Sequence, residues 1–478
     1  MSSERHSGSL SMLFFPLMAP GHILPTLDMA KHFAMRGVKA TILTTPANAP
    51  LVQPFLARAN RSLAAYPMCL RLIPFPSDTG LPEGCENLSS IPFRDRTTLV
   101  FKFFNAVSRL REQFDWVLRE LLPDYVVTDG YFPWTYDAAA ELGIPRLVFH
   151  GVSFFSLCLN DSVHRNRLLE SHPADAEALV IPGLPHRIEM LRSQLPRSES
   201  EEADSKSYGV VVNSFYELEP DYARHYREVV GRRAWHIGPV ALCNRDDDAD
   251  KSARGYDCLR WLDGKSAGSV LYVCFGSMGD FRAAQLRELA LGLEACGHPF
   301  VWVARSEGGD DEWVPKGGFE ERVEGRGLVI RGWAPQILIL NHPSVGGFVT
   351  HCGWNSILEG VSAGLPLVTW PLFAEQFYNE RLIVDVLGIG VSVGVKEYSV
   401  KPEERGVVEA ETIRKAADEV MGSGDGAQEK RRRARELGEM ARRAVEKGGS
   451  SYKDMSNLIE ELTEKKNAVQ AQPQPPLV

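Results

Sequence analysis

The residues best suited to proton transfer are a histidine and an aspartate that each follow an apolar run. His22 comes shortly after Ser11–Met18, and Asp129 directly follows Tyr125–Thr128. If both runs are strands of one parallel sheet, their carboxyl ends meet at one edge. A carboxylate on the far nitrogen of an imidazole fixes its tautomer and stabilises the imidazolium. A lone histidine after a strand is more often a loop or cap residue, and Asp129 is the reason why we predict a general base.

A second set of chemical groups lies in the 44 residues from Trp333 to Gln376. Trp333 offers a flat surface for a nucleobase, and Ala334 and Gln336 belong to a stiff turn that can present polar groups to the edge of the base. By itself a tryptophan is more often a core or anchoring residue. The residues that follow can bind phosphates, a ribose and a hexose, so the segment predicts a site for a nucleoside diphosphate sugar.

The centre of this segment is the end of a buried strand, Val345–Thr350, followed by the start of a helix near Trp354. Free backbone N–H groups at a helix start bind anions, so the phosphates are expected here. The turn adds polar side chains from His351, Asn355 and Ser356, and Trp354 is predicted to lie behind the sugar.

Three further positions complete the predicted donor site. Glu359 shares a helix face with Ser356 and is predicted to bind the ribose, although Ser356–Glu359 also fits a capping box. Glu375 and Gln376 can chelate adjacent sugar hydroxyls. Ser277 lies in a Gly-Ser-Met-Gly turn after another predicted strand and can donate to a phosphate, but this short motif is by itself weak.

The elements that must position these groups alternate between short apolar runs and helical patterns, which is typical of parallel α/β folds. One series begins at Ser11 and a second at Ser269, with a polar segment between them. We predict two doubly wound Rossmann-like lobes that face each other across a cleft. The predicted parts are an N-terminal acceptor-binding lobe (1–241), a linker (242–262), a C-terminal donor-binding lobe (263–450), a helix (451–466) and a disordered tail (467–478).

The overall composition excludes several functional classes. The 478 residues carry a net charge of −9, which argues against nucleic-acid binding. The basic run Lys430–Arg433 lies among glutamates and is interpreted as a solvated helix face. Eight cysteines show no metal-ligand spacing. No apolar run is long enough to span a membrane, and prolines interrupt the first one, so we expect a cytoplasmic protein without a signal peptide.

The acceptor pocket is predicted to be apolar, with the base at its floor. The candidates lie in loops near the strand ends and fit the core equally well: Phe132, Trp134, Phe154, Phe155, Leu191, Leu195 and Phe373.

These motifs resemble the plant secondary-product UDP-glycosyltransferases. The resemblance spans nearly the whole chain. It includes FFPLMAPGHILPTLDMAK at the start, VVNSFYELEP at Val211–Pro220, GPV at Gly238–Val240, and the segment Trp333–Gln376, which matches the family's signature box. It is strongest to the branch that glucosylates phenolics, coumarins and triterpenoid or steroidal aglycones, and it implies a GT-B fold.

The resemblance also implies the reaction: a single displacement with inversion, His22 as the base oriented by Asp129, a UDP-sugar as co-substrate, and no cofactor, metal or covalent intermediate. Glutamine at the end of the box usually accompanies glucose, so Gln376 favours UDP-glucose, while pentose and glucuronate donors stay open. Many relatives carry Asp where this chain has Glu375, which keeps the charge and lengthens the side chain by one methylene. The resemblance implies that the last helix crosses back to the first lobe. The predicted partners are a UDP-sugar and a small lipophilic acceptor, and the chain is predicted to be a monomer.

Three other functions remain as alternatives. A dinucleotide-dependent oxidoreductase would need G-x-G-x-x-G after the first strand, where this chain has Pro-Gly-His-Ile-Leu-Pro. A sugar-nucleotide epimerase would need charged groups around the hexose in place of an apolar acceptor chamber. A catalytically silent UDP-sugar-binding protein would keep the donor segment and lose the histidine–aspartate pair, both members of which are present.

Overall fold

The computed structural model describes residues 9–92, 96–171, 178–196, 202–244, 256–304 and 318–471. Within these ranges the framework consists of two parallel sheets of seven and six strands and a small antiparallel hairpin. Each large sheet is covered by helices, as expected for strands whose side chains are buried on both faces.

The first sheet has the order β3-β2-β1-β4-β5-β8-β9, and every neighbouring pair is parallel. Phe15 of β1 is in register with Thr128 of β4, so these two strands end side by side. The hairpin is formed by β6 and β7. The strands are β1 Ser11–Phe15, β2 Lys39–Thr44, β3 Cys69–Leu72, β4 Tyr125–Asp129, β5 Arg146–Phe149, β6 Leu179–Ile181, β7 Ile188–Met190, β8 Gly209–Val212 and β9 Ala234–His236.

The second sheet has the order β12-β11-β10-β13-β14-β15 and is also parallel throughout. The chain order reverses between β10 and β13, which is the point where ligands bind in open α/β sheets. The strands are β10 Val270–Cys274, β11 Phe300–Ala304, β12 Gly327–Arg331, β13 Val345–Thr350, β14 Leu367–Thr369 and β15 Gly390–Ser392.

The helices connect these strands and cover both sheets. Two of them, Pro220–His225 and Gln376–Arg381, continue into π-helical turns. The helices are Pro20–Ala34, Ala49–Ala59, Arg96–Ser108, Arg111–Leu121, Trp134–Ala140, Phe154–Arg165, Leu168–Ser171, Glu202–Lys206, Pro220–His225, Asp257–Asp263, Ala283–Ala295, Phe319–Arg322, Gln336–Leu340, Trp354–Ala363, Gln376–Arg381, Ala410–Met421, Asp425–Val445 and Ser450–Ala471.

The first helix begins earlier than the sequence pattern predicted. The apolar spacing of the sequence predicts a helix from Leu24 to Arg36, and the helix runs from Pro20 to Ala34. A proline is favourable at the first helical position, because the N–H that it lacks would have no partner there. His22 therefore lies in the first turn of a helix instead of in a preceding loop, and the helix fixes its backbone.

The last helix, Ser450–Ala471, extends beyond its predicted end at residue 466 and packs against the first sheet. The Tyr125 hydroxyl donates to the Leu462 carbonyl at 2.9 Å, and Lys466 forms a 2.9 Å ion pair with Asp124. Residues 472–478 of the predicted tail lie outside the described residues.

The predicted linker is described only in part. Residues 245–255, with Asp246–Asp248, lie outside the described ranges, and the helix Asp257–Asp263 occupies the end of the segment. The basic run near residue 432 is a solvated helix face as predicted, because Arg432 pairs with Glu429 and Glu436. In the described ranges, no helix combines the length and the apolar character needed to cross a bilayer.

Candidate active site

The predicted proton-transfer pair is in direct contact. His22 Nδ1 donates to Asp129 Oδ2 at 2.7 Å, which leaves Nε2 as the second nitrogen of the ring. The Asp129 side chain is fully buried and that of His22 is 21% exposed. The carboxylate also accepts the backbone N–H of Leu17 at 3.2 Å and that of Tyr131 at 3.1 Å. These contacts fix the carboxylate where β1 and β4 end together.

The surroundings of His22 raise its pKa. Burial lowers the pKa, but the charge and hydrogen bond of Asp129 outweigh it, and Glu375 of the other lobe adds to the increase. His150 acts in the opposite direction. The imidazole therefore faces one carboxylate from each lobe, an arrangement that stabilises the ring after it has taken a proton.

The donor segment forms the turn between β13 and the helix Trp354–Ala363. The N-cap residue is Gly353, which has no side chain to cap the helix. The alternative of a capping box at Ser356–Glu359 is therefore wrong, because both residues lie inside the helix and Glu359 accepts from another segment. The open helix start faces the other lobe, where Asn355 Nδ2 donates to the Gly21 carbonyl at 2.7 Å.

Glu359, which was predicted to bind a ribose, belongs to a small polar cluster. Gln336 Nε2 donates to Glu359 at 2.7 Å and to the Ser356 hydroxyl at 3.2 Å. Burial raises the pKa of Glu359 to about 7, although the bond from Gln336 lowers it. Trp333 is 66% exposed and presents its ring, whereas Ala334 is nearly buried and accepts the Gln336 N–H at 2.9 Å.

His351 packs closely against the turn after β10. A Cβ atom on Gly276 would lie 2.5 Å from the His351 ring, and Gly276 has a φ of +70°. Only glycine fits this position, for both reasons. The turn with Ser277 therefore lies directly beside the imidazole, and the structure brings these two predicted donor residues together.

The two sugar-binding candidates differ in their surroundings. Glu375 accepts from Asn379 Nδ2 at 3.3 Å, and burial raises its pKa while the Trp354 backbone N–H and His22 lower it. The Gln376 oxygen accepts the N–H groups of Leu372 and Phe373 at 2.9 and 3.1 Å. Gln376 is thus bound to its own loop through its oxygen.

Trp354 was predicted to lie behind the sugar, but its side chain is not open to the cleft. The side chain is 2% exposed, and its Nε1 donates to the Asn213 carbonyl of the first lobe at 2.7 Å. The ring is therefore a packing contact between the lobes. Its backbone N–H, at the start of the helix, is the part that faces Glu375.

The predicted acceptor residues fall into two groups. Phe132, Phe154 and Phe155 have no exposed surface and Leu195 only 4%, so the prediction that they line a pocket is wrong. Phe132 packs against Phe15 with ring centroids 4.9 Å apart. Aromatic side chains near strand ends complete the core here. The partly exposed candidates are Trp134, Leu191 and Phe373.

One aromatic residue beside His22 was missed. Tyr131 is 54% exposed, with its ring 5.8 Å from that of His22 and 5.6 Å from that of Phe104. Burial within the cleft raises its pKa, and so do the charges of Glu375 and Asp129. Its position two residues after Asp129, in the turn that follows a strand, was the signal that could have identified it.

Comparison with known proteins identifies the family. A family model described as UDP-glucoronosyl and UDP-glucosyl transferase matches residues 234–409. The scopoletin glucosyltransferase of Nicotiana tabacum is 50% identical over 95% of this chain and 98% of its own length. This chain belongs to the plant UDP-glycosyltransferases.

Solved structures agree with this assignment. The Glycyrrhiza uralensis glycosyltransferase UGT73P12, complexed with glycyrrhetinic acid 3-O-monoglucuronide, has a TM-score of 0.89 and 44% identity over 97% of both chains. Arabidopsis thaliana UGT89C1, complexed with UDP-L-rhamnose, has a TM-score of 0.73 and 30% identity over 96% of this chain and 100% of its own. The predicted family, enzyme class and two-lobed GT-B fold of this UDP-glycosyltransferase are confirmed.

Proposed function

We propose that this UDP-glycosyltransferase transfers glucose from UDP-glucose to a hydroxyl of a small lipophilic plant metabolite and inverts the anomeric carbon. The acceptor is a phenolic, a flavonoid or a triterpenoid. The observation that carries the proposal is the 2.7 Å contact between His22 and Asp129, in a cleft opposite the donor segment.

In the proposed reaction His22 is the general base. Its Nε2 takes the proton of the acceptor hydroxyl as that oxygen attacks the anomeric carbon and the bond to the UDP oxygen breaks. Asp129 stabilises the imidazolium that forms. Since attack occurs on the face opposite the leaving group, an α-linked donor yields a β-glucoside.

The donor groups act on the leaving UDP. The uracil stacks on Trp333, the ribose binds Glu359 and Gln336, and the phosphates bind the uncapped helix start with Asn355 and His351. The helix dipole and its N–H groups stabilise the negative charge that grows on the diphosphate as the sugar leaves. Support comes from the N-cap residue Gly353, which has no side chain to bond the N–H groups that follow that of Trp354, so an anion can bind them.

The remaining groups are assigned to the sugar and the acceptor. Glu375 and Gln376 bind glucose hydroxyls, and Ser277 binds a phosphate from the neighbouring turn. The partly exposed side chains Trp134, Leu191 and Phe373 line the acceptor pocket, and Tyr131 forms its wall beside the base. The exposed ring of Tyr131 supports a flat, apolar acceptor.

The name of the Nicotiana tabacum relative supports a phenolic acceptor, since scopoletin is a coumarin, and a strawberry relative is named as a flavonoid glucosyltransferase. The triterpenoid derivative bound to the Glycyrrhiza uralensis structure supports the alternative of a larger acceptor. Comparison of the two acceptor classes in one assay shows which of them the enzyme prefers.

The decisive experiment measures UDP release by the purified enzyme and its His22→Ala variant with a panel of phenolic and triterpenoid acceptors. UDP-glucose, UDP-galactose and UDP-glucuronate are compared as donors, and product masses and anomeric configuration are determined. We expect acceptor-dependent glucosylation that falls about 10²–10⁴-fold in the variant. The matched control is His298→Ala, because His298 pairs with Asp418 on the far side of the second lobe.

Two outcomes would overturn the proposal. UDP-glucose binding without any product would support a silent binding protein, and acceptor-independent conversion of the sugar would support an epimerase. Equal activity of the His22→Ala variant and the wild type would exclude His22 as the base while leaving the transferase intact.

We also propose the domain roles and the cellular context. Residues 1–241 bind the acceptor and residues 263–450 the donor, with 242–262 as the linker and the last helix returning to the first lobe. The enzyme acts as a monomer in the cytoplasm, and its eight cysteines, all within the described ranges and none in a disulfide, support a reducing compartment. Size-exclusion chromatography with light scattering and cell fractionation test these two statements.

A further inference from the structure

A second charged cluster lies directly behind the His22–Asp129 pair. Arg146, the first residue of β5, has a fully buried side chain and forms an ion pair with Asp204 at 3.2 Å. Asp204 also pairs with His150 Nε2 at 2.9 Å. A buried arginine and carboxylate are expensive to desolvate, so their presence needs a reason.

The Arg146 guanidinium holds the end of the strand that carries Asp129. Its Nη2 donates to the Asp129 carbonyl at 3.1 Å, and its Nε donates to the Thr128 hydroxyl at 2.7 Å. A further bond runs from Nη1 to the Ser207 hydroxyl at 3.0 Å. The last two residues of β4 are therefore bound to one rigid, planar group.

His150 extends this cluster to the other side of the pair. A Cβ atom on Gly130 would lie 2.4 Å from His150 Nδ1, so the ring packs directly on the residue that follows Asp129. Gly151, the residue after His150, lies against the His22 ring. A Cβ atom added to Gly151 would be 3.9 Å from that ring. The segment after β5 therefore contacts both members of the His22–Asp129 pair or their chain neighbours.

The charges of this region are balanced. The groups that face His22 are Asp129, Glu375 and His150, and those that face Asp204 are Arg146 and His150. Arg146 and Asp204 together are neutral. Since both are buried, removal of one would leave a poorly screened charge next to Asp129.

We propose that Arg146 and Asp204 form a neutral positioning pair, which fixes Asp129 against His22 and balances the charge behind it. The inference rests on the proposed role of His22 as the base. Neither residue of the pair contacts the substrates, and both act through Asp129.

The test measures kcat/KM against pH for Asp204→Asn, Arg146→Gln and the double variant. Asp204→Asn leaves the Arg146 cation unbalanced, so His22 is harder to protonate and the acidic limb of the profile moves to lower pH. Arg146→Gln leaves the Asp204 anion and moves the limb to higher pH. We expect shifts of about half a pH unit or more, in opposite directions, and a kcat that falls about 10-fold in each single variant.

The double variant separates charge balance from positioning and is the safest to fold, because neither charge of the Arg146–Asp204 pair is left buried without the other. Its acidic limb should coincide with that of the wild type, while its kcat stays low because Asp129 is no longer held. A wild-type kcat in the double variant would overturn the positioning role. Shifts of the two single variants in the same direction, or none, would overturn the charge balance.

The first lobe offers a matched control. Asp454 pairs with Arg227 at 3.1 Å and with His236 at 3.3 Å, at the edge strand β9 of the same sheet. Asp454→Asn removes the same type of cluster away from His22 and should lower thermal stability without moving the acidic limb. An equal shift in this variant would contradict the inference.

The failure of this inference is distinguishable from that of the proposed function. If His22→Ala abolishes transfer while the profiles of the pair variants match the wild type, only the role of Arg146 and Asp204 is wrong. If His22→Ala is fully active, the assignment of His22 as the general base is wrong.

Discussion

Asn355 of the donor helix donates a 2.7 Å hydrogen bond to the carbonyl of Gly21, the residue before His22. Inside a helix this carbonyl would accept the N–H of the residue four positions later. That residue is Pro25, which has no N–H, although it lies within the helix Pro20–Ala34. The proline leaves the carbonyl free for the other lobe and so connects the helix of the base to the start of the donor helix.

The first prediction concerns this bond between the lobes. Asn355→Ala removes the donor to Gly21 and one polar group at the helix start, so UDP-glucose should bind more weakly and kcat should fall. Loss of one or two hydrogen bonds predicts about a 5- to 30-fold decrease in kcat/KM for the donor. Steady-state kinetics and calorimetry with UDP measure the effect. Asn341→Ala, which loses only a local bond to Ile337, is the control and should behave as the wild type.

The second prediction concerns Pro25. Pro25→Ala restores an N–H that competes for the Gly21 carbonyl, so the helix gains stability while the contact between the lobes weakens. We expect an unchanged or higher melting temperature together with a kcat that is several-fold lower, since a proline inside a helix costs about 3 kcal/mol. Pro54→Ala, in the helix Ala49–Ala59, is the matched control. It should keep kcat, and a similar loss in both variants would argue against the explanation.

The sequence predicts the strands β1 and β4, whose adjacent ends bring His22 and Asp129 together, because alternating patterns determine a parallel sheet and its edge. It also predicts the helix start at Trp354. It does not predict the contact of Asn355 with Gly21, because the two residues are 334 positions apart and no local pattern specifies how the lobes meet. Asp204 is missed for the same reason, since it lies in a short helix within a polar segment.

Burial of aromatic side chains is the other feature that the sequence leaves open. Phe132, Phe154 and Phe155 follow strand ends, as pocket residues do, yet their surfaces are entirely used by the core. Tyr131, the neighbour of Phe132 in the turn after β4, is the exposed one. Side chains in such turns point in different directions, and the backbone geometry that decides between core and cleft is not visible in residue type.

The third prediction tests the orienting carboxylate. Asp129→Asn keeps the shape of the side chain but removes the charge that raises the pKa of His22, so burial then dominates and the pKa falls. The remaining activity should persist to lower pH, and kcat should fall about 10²–10⁴-fold. A pH profile of kcat/KM checks the direction. Asp418→Asn breaks the pair with His298 and should change neither quantity.

The fourth prediction concerns Glu359. Burial raises the pKa of this carboxyl to about 7 from an ordinary value of 4.5. Because the folded pKa is the higher one, the contribution of this carboxyl to the stability of the free protein is fully present below pH 4.5 and is lost as the pH rises through 7. Glu359→Gln removes this loss and should stabilise the free enzyme at about pH 8 by about 1–3 kcal/mol, with little change at about pH 4.

Thermal unfolding with and without UDP separates the two roles of this carboxylate. The variant should melt higher than the wild type at alkaline pH when free and gain less from UDP, because a neutral amide oxygen accepts a weaker hydrogen bond from the ribose than a carboxylate does. A variant that is less stable than the wild type at alkaline pH would contradict this. The hydrogen bond of the carboxylate with Gln336 would then stabilise the fold by more than burial of the charge destabilises it.

The last prediction separates the two ends of the Gln376 side chain. The oxygen accepts two backbone N–H groups of its own loop, Leu372 and Phe373, so the amide nitrogen is the end that remains for the sugar. Gln376→Glu keeps an acceptor for the loop and removes the donor. We expect a wild-type melting temperature and unchanged UDP affinity, with KM for UDP-glucose raised about 10-fold.

Gln376→Leu, the comparison variant, removes both ends and should also lower the melting temperature, because two buried N–H groups lose their partner. If the glutamate variant keeps a wild-type KM, the nitrogen does not contact the sugar, and Glu375 is then the residue that recognises its hydroxyls.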